Sequence, residues 1–145
     1  MRIGSTGEMV DLGRRFAGQL RSGDLVILSG EMGAGKTTFV RGVGEYFGVE
    51  TSSPTFVISR VHGTSPKLVH TDLYRLLDSG DISRQLAELD FDFDADAVNL
   101  VEWGEVISDN LDRDFLVVKF SIGETDTERN VEFIGTGARW EKFAI

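Results

Sequence analysis

The feature that most constrains the fold is a glycine-rich run, Gly-Glu-Met-Gly-Ala-Gly-Lys-Thr, at residues 30–37. It matches the pattern G-x-x-x-x-G-K-S/T at every fixed position. An apolar run of buried-strand type precedes it at Leu25–Ser29, and a helical pattern opens directly after it. A strand, a glycine turn and a helix in this order predict a phosphate-binding loop. They also predict an α/β protein of the P-loop NTPase fold, with a mainly parallel sheet flanked by helices.

Each residue type in this loop has a physical task. Glycines let the backbone turn its N–H groups inward around a polyphosphate, and the following helix N-terminus adds partial positive charge. Lys36 should reach the β- and γ-phosphate oxygens and take part in catalysis, while the Thr37 hydroxyl should hold Mg²⁺. The expected nucleotide-binding residues are Gly33, Ala34, Gly35, Lys36, Thr37 and Thr38.

A loop of this kind needs an acidic residue for its metal, and carboxylates follow two later apolar runs. Glu102 follows the run at residues 98–101, and Asp72 follows the run at residues 68–71. We expect Glu102 to bind Mg²⁺ directly or through water. Asp72 is expected to act in catalysis, either sharing the metal or orienting the attacking water. The alternative for both is a carboxylate that only caps a turn.

Three residues near these acids have more than one interpretation. His70 should face the same side of its strand as Asp72, where it either relays a proton or fills a structural position. Arg75 either binds phosphate or pairs with a carboxylate. Trp103 either stacks on a ligand or belongs to the core.

The remaining pattern predicts the other elements. A Ser-x-x-Glu capping box at Ser5 and Glu8 opens a first helix over residues 6–21, and the helix after the loop should run from Lys36 to about Phe47. Strands are predicted at residues 57–61, 67–71 and 97–101, a short helix at 82–89, and antiparallel additions at 115–122 and 130–135 that form a hairpin.

Length and charge limit the classes of protein that fit. At 145 residues the chain is expected to form a single domain, 1–145. No apolar run approaches the roughly 18 residues that span a bilayer, and with no apolar leader and no cysteine we expect a cytoplasmic protein. The net charge of −9 predicts no strong direct contact with nucleic acid. The acidic stretch at residues 88–96 is either a solvated face or a docking surface for a basic partner.

The motifs present and absent in the sequence limit which nucleotide the protein should bind and which activities are possible. No Asn-Lys-x-Asp guanine-reading motif occurs, so ATP with Mg²⁺ is the expected ligand. Three activities stay open: a slow ATPase acting as an assembly switch, a small-molecule kinase, and a nucleotide-binding module without turnover. The switch is favoured because a kinase needs a lid and arginines for its acceptor, and no arginine-rich lid segment is evident.

Four motifs in this order and spacing make the chain resemble the TsaE family, the small P-loop ATPases of bacterial tRNA threonylcarbamoyladenosine synthesis. They are the glycine loop continued through Arg-Gly at residues 41–42, Ser-Pro-Thr-Phe at 53–56, His-Thr-Asp-Leu-Tyr-Arg-Leu at 70–76, and Glu-Trp at 102–103. The resemblance covers most of the chain.

The resemblance implies an ATPase that works with TsaB and TsaD, which transfer threonylcarbamoyl to the adenosine beside the anticodon, while TsaC makes the activated donor. It implies that tRNA is met only through that complex. It also implies that Thr37 and Glu102 bind Mg²⁺, that Asp72 is the His-x-Asp aspartate, and that residues 53–56 form a switch loop sensing the γ-phosphate. One departure is Gly104, where the family often has proline; this change is expected to loosen the turn without removing the metal ligand.

Overall fold

The computed structural model describes residues 1–51, 59–63, 67–88 and 92–145. The predicted switch loop at 53–56 and the first two residues of the strand predicted at 57–61 lie outside the described residues. The helices are α1 (Thr6–Ala17), α2 (Lys36–Phe47), α3 (Ile82–Glu88) and α4 (Glu105–Ser108), with a 3₁₀ helix at Tyr74–Ser79. The strands are β1 (Arg2–Ile3), β2 (Leu25–Ser29), β3 (Ser59–His62), β4 (Lys67–Asp72), β5 (Ala97–Glu102), β6 (Phe115–Ile122) and β7 (Arg129–Thr136).

Within the described ranges the strands form one seven-stranded sheet in the order β1-β7-β6-β2-β5-β4-β3. Strands β4, β5, β2 and β6 are parallel to one another, and β3, β7 and β1 are antiparallel additions. The predicted α/β class and the β6–β7 hairpin are therefore confirmed. Strand β6 was expected only as an antiparallel addition, but it also pairs in parallel with β2. The reason is that β6 enters the sheet after α4, and a crossover connection lets a strand run parallel to its neighbour.

The first helix is opened as predicted but ends earlier. The Ser5 hydroxyl accepts the Glu8 N–H at 3.2 Å, and the Glu8 carboxylate accepts the Gly4 N–H at 2.9 Å. The helix ends at Ala17 rather than at residue 21, because after Gly18 the chain tightens into turns whose N–H groups bond three residues back. Helix α2 keeps its predicted bounds and stops at Gly48, whose φ is 69°.

Helices cover both faces of the sheet. Val26 and Leu28 of β2 pack in a core cluster with α1 and α2, whereas Leu25 and Ile27 pack on the opposite face with α4 and the 3₁₀ helix. The α1–α2 contact is backbone to backbone, since a Cβ on Gly13 would lie 2.3 Å from the Phe39 carbonyl oxygen. This close contact fixes α2 under the end of β2. Of the helices described, none is long and apolar enough to cross a membrane.

Candidate functional site

The glycine loop connects the end of β2 to the start of α2. Gly30, Gly33 and Gly35 have φ values of 142°, 81° and 108°, in the left-handed region that strains residues with side chains. Gly30 is also pressed against β6, because a Cβ there would lie 2.4 Å from the Phe120 carbonyl oxygen. Gly35 caps α2 without any side-chain hydrogen bond. The first turn of α2 therefore presents backbone N–H groups and partial positive charge to an acceptor.

Lys36 folds back over this loop. Its ammonium donates hydrogen bonds to the carbonyl oxygens of Gly30 and Glu31, the latter at 3.0 Å. The same ammonium lies 4.8 Å from the ring centroid of Trp103, and the residue as a whole is buried. A buried charge is tolerated here because carbonyl oxygens and an aromatic face surround it.

A cleft of about 300 Å³ opens beside the loop. From the loop side it is lined by Met32, Gly33, Gly35, Lys36, Thr37 and Thr38, and from the opposite side by Asp72, Tyr74, Glu102 and Trp103. The structure thus brings together every residue predicted to bind nucleotide, bind Mg²⁺ or act in catalysis, except Ala34. Ala34 is fully buried in the core beneath the loop, and its N–H bonds the Glu31 carbonyl oxygen at 3.2 Å.

The two predicted carboxylates lie side by side at the ends of parallel strands. Asp72 and Glu102 are register partners in the β4–β5 pairing. The backbone of Glu102 is held from both sides, because its carbonyl oxygen accepts the Leu73 N–H and the next N–H donates to the Leu28 carbonyl oxygen. Glu102 is only 5% exposed, and its side chain contacts His70, whose Nε2 lies 2.9 Å from Glu102 Oε1.

Asp72 has a different environment. Burial raises the pKa of the Asp72 carboxyl above its ordinary value, and the negative charge of Glu102 raises it further. A hydrogen bond from the Tyr74 N–H at 2.9 Å and the positive charge of Lys36 oppose this rise in the pKa without cancelling it. The carboxylate is therefore a stronger base than an exposed aspartate.

The three residues with open interpretations have different outcomes. His70 is fully buried and lies behind Glu102 rather than in the lining of the cleft. Trp103 both lines the cleft and packs on the second core cluster, and its φ of 60° is the one positive value at a non-glycine residue in the described ranges. Its ring centroid lies 5.3 Å from that of Tyr74. The Arg75 side chain lies outside what the structure describes, so its role stays a prediction.

Sequence reasoning missed Arg129, which reaches the loop from β7. Arg129 Nε donates to the Gly33 carbonyl oxygen at 3.1 Å. A second cleft, of about 500 Å³, lies on this side of the loop and is lined by Thr6, Met9 and Arg129 together with loop residues. Arg129 is 96 residues from Gly33, so no local pattern in the sequence indicates that the two residues meet.

The described part of the acidic stretch has local partners. Asp94 accepts a hydrogen bond from the Lys67 ammonium at 2.7 Å and from the Asp96 N–H at 2.8 Å. The Lys67 contact holds the pKa of the Asp94 carboxyl below its ordinary value. Asp92 and Asp96 are exposed, and residues 89–91 lie outside the described ranges. The Asp94 contacts join the stretch to β4.

The parallel core, the glycine turn and the helix that follows define the class: this is a protein of the P-loop NTPase fold. A family model described as "Threonylcarbamoyl adenosine biosynthesis protein TsaE" matches residues 3–131. The chain therefore belongs to the TsaE family.

Individual relatives agree with this assignment. The chain is 50% identical over 141 residues to the tRNA threonylcarbamoyladenosine biosynthesis protein TsaE of Streptomyces coelicolor, covering 91% of this chain and 93% of the relative. It is 38% identical over 125 residues to the protein of the same name from Bacillus subtilis, covering 83% and 75%. The crystal structure of Bacillus subtilis YdiB superposes with a TM-score of 0.74 at 30% identity, covering 97% and 87%.

Proposed function

We propose that this single-domain chain is a cytoplasmic ATPase, slow and Mg²⁺-dependent, that serves threonylcarbamoyladenosine modification of tRNA. Its proposed role is a nucleotide-dependent switch on the TsaB–TsaD transferase complex. The observation that supports this most is that Lys36, Thr37, Asp72 and Glu102 line one cleft at the ends of the parallel strands. Family membership supports the tRNA modification itself.

The loop side of the cleft suits a polyphosphate. The first turn of α2 offers backbone N–H groups, and Lys36 can exchange its two carbonyl partners for phosphate oxygens. A triphosphate lying over this turn would extend toward the second cleft, which shares Gly33, Gly35 and Thr38 with the first. We therefore propose that the adenosine part lies there, between Met9 and Arg129.

The opposite side suits Mg²⁺. Thr37 and Glu102 line the same cleft and offer a hydroxyl and a carboxylate, the oxygen ligands that Mg²⁺ prefers. Such a site is usually completed by phosphate oxygens and water rather than by further side chains. When bound, the metal would neutralise charge that develops on the phosphates.

Asp72 is the residue proposed to handle the attacking water. It faces the cleft beside Glu102, and its raised pKa favours accepting a proton. Asp72→Asn is therefore expected to lower turnover more than ATP binding, measured as kcat and KM for phosphate release.

The fate of the γ-phosphate of ATP distinguishes an ATPase from a kinase and from a nucleotide-binding module. The protein alone, and the protein with TsaB and TsaD, should release inorganic phosphate from ATP, faster in the second case. Quantitative transfer of phosphate to an added metabolite would make the chain a kinase. Tight binding of ATP with no phosphate released under either condition would make it a binding module.

The switch role is tested by association. The transmitter proposed for it, residues 53–56, lies outside the described residues and stays a prediction from the sequence. The protein is mixed with TsaB and TsaD under ATP, ADP or no nucleotide, and co-elution is measured by size. ATP should favour the complex, and equal association in all three conditions would remove the switch mechanism. The isolated protein should bind tRNA weakly at most, because its net charge is −9.

A further inference from the structure

His70 is a buried polar residue that none of the proposed chemistry uses. It is fully buried on β4, and its Nε2 lies 2.9 Å from Oε1 of Glu102, which is itself buried on β5. The two strands are parallel, with His70 opposite Leu100 and Asp72 opposite Glu102. The contact is therefore diagonal: the imidazole approaches the carboxylate from one pair earlier along the same face.

The chemistry of the two groups fixes where the proton lies. A neutral imidazole has one N–H and one bare nitrogen, and a bare Nε2 would set its lone pair against the carboxylate oxygen. With Glu102 ionised, as a metal ligand must be, the proton is on Nε2 and is donated to Oε1. Nδ1 is buried without a hydrogen-bond partner in the described structure, and a buried donor left alone is tolerated worse than a buried acceptor. A second proton on Nδ1 is therefore disfavoured, and Nδ1 is the bare nitrogen.

The backbone of Glu102 is already fixed by hydrogen bonds to both neighbouring strand ends, so its carboxylate can move only by rotation about the side-chain bonds. The hydrogen bond from His70 restricts this rotation because it holds Oε1 in place. Since Glu102 lines the cleft and His70 does not, the other carboxylate oxygen is the one available to a ligand there.

We propose that His70 is a positioning residue for Glu102: it holds the carboxylate so that one oxygen faces the cleft as a ligand for Mg²⁺. This inference rests on the proposed function, because it gives His70 a role through the metal assigned to Glu102. Histidine–carboxylate contacts behind a metal ligand orient that ligand, and their loss typically costs about ten- to a hundredfold in metal affinity. A purely structural histidine would instead change stability and leave metal affinity alone.

Two matched variants separate these roles. His70→Gln keeps an N–H donor near the position of Nε2, and His70→Leu fills similar space without a donor. Calorimetric titration with a non-hydrolysable ATP analogue, with and without Mg²⁺, measures the gain in affinity that the metal provides. His70→Leu should lose about ten- to a hundredfold of that gain. His70→Gln should keep it within about threefold. Binding without Mg²⁺ should be unchanged in both variants.

The same titrations distinguish failure of this inference from failure of the proposed function. A wild-type protein whose affinity does not respond to Mg²⁺ would overturn the metal role of Glu102. A responsive wild type with an equally responsive His70→Leu would overturn only the role of His70, as would equal losses in His70→Leu and His70→Gln.

A measurement on protein that keeps His70 covers the case in which His70→Leu does not fold. The chain has two histidines, so ¹⁵N spectra of histidine-labelled protein contain two imidazoles, and His62→Asn assigns them. The His70 ring should carry its proton on Nε2. A proton found on Nδ1 alone would overturn the proposed contact.

Discussion

The two sides of the cleft are built from different parts of the chain. On the loop side the working groups are backbone N–H groups, held in place by glycines at φ values that other residues avoid. On the opposite side they are the side chains of Asp72 and Glu102, held by burial and by hydrogen bonds. Apart from Lys36 and Thr37, which act through their side chains, the loop side should therefore be more sensitive to changes in the backbone than to changes in side chains such as Met32, which is 75% exposed. On the carboxylate side, the side chains themselves should carry the chemistry.

Lys36 belongs to the loop side but acts through its side chain, and its substitution should produce the largest of the expected effects, a loss of ATP affinity. Lys36→Ala should weaken ATP binding by at least about a hundredfold, because two lost charge-assisted hydrogen bonds cost about 3 kcal/mol or more. Equilibrium titration with ATP measures this. Lys142→Ala, an exposed lysine in the C-terminal segment, is the control. Wild-type affinity in Lys36→Ala would mean that the loop does not hold the phosphates.

Glu102→Gln tests the carboxylate side by removing a charge while keeping the shape. The Mg²⁺ concentration needed for half-maximal ATP hydrolysis should rise about tenfold or more, since the substitution removes the negative charge of a ligand and not merely its support. Exposed Glu132→Gln on β7 is the matched control. Normal hydrolysis by Glu102→Gln across a magnesium titration would show that the metal assignment is wrong.

Gly35→Ala tests the backbone dependence of the loop side. A left-handed alanine costs about 1–2 kcal/mol of stability. In addition, its Cβ would lie 2.9 Å from Met9 Cε, the end of a flexible side chain that would have to shift although it is buried. Gly33→Ala carries the same kind of backbone cost but meets no atom within 4 Å. Thermal and denaturant unfolding should therefore rank Gly35→Ala as less stable than Gly33→Ala, and both as less stable than Met32→Ala. If Gly35→Ala were more stable than Gly33→Ala, or Gly33→Ala more stable than Met32→Ala, the loop backbone would be able to adjust to a side chain at these positions.

The smallest effect concerns pH and Asp72. Because the folded-state pKa of Asp72 is raised above the ordinary 3.8, the stability it contributes is present below about that pH and is lost as pH rises through the folded-state pKa. Asparagine is uncharged throughout, so Asp72→Asn should melt at a higher temperature than wild type at pH 7. The difference should shrink toward about pH 4. Exposed Asp112→Asn controls for loss of a surface charge. A variant that melts lower at pH 7 would contradict the prediction.

The two sides of the cleft also differ in how their features could be predicted from the sequence. The features that identify the loop are contiguous: β2, the glycines, Lys36 and the start of α2 lie within one short stretch, and all of these were predicted. Asp72 and Glu102 were predicted as acids at strand ends, because in parallel strands such ends meet at one edge of the sheet.

The features that were missed depend on pairing between distant segments. The parallel pairing of β6 with β2 depends on where a crossover places the strand. The contact of Arg129 with Gly33 and that of His70 with Glu102 join residues far apart in the chain. Only the early end of α1 had a local signal, at Gly18, where glycine weakens a helix that the apolar spacing would continue.

The position of Trp103 gives the protein an optical reporter of its own cleft. The chain has two tryptophans. Trp140 is buried beneath the guanidinium of Arg139, whereas the Trp103 indole faces the cleft with a lysine ammonium 4.8 Å from its ring centre. Indole emission responds to nearby charge, so a nucleotide that draws Lys36 away should change the intensity of Trp103 while Trp140 stays constant. In Trp140→Phe all of the tryptophan emission would come from Trp103, and with excitation selective for tryptophan, nucleotide arrival could be timed in a stopped-flow instrument without any attached dye.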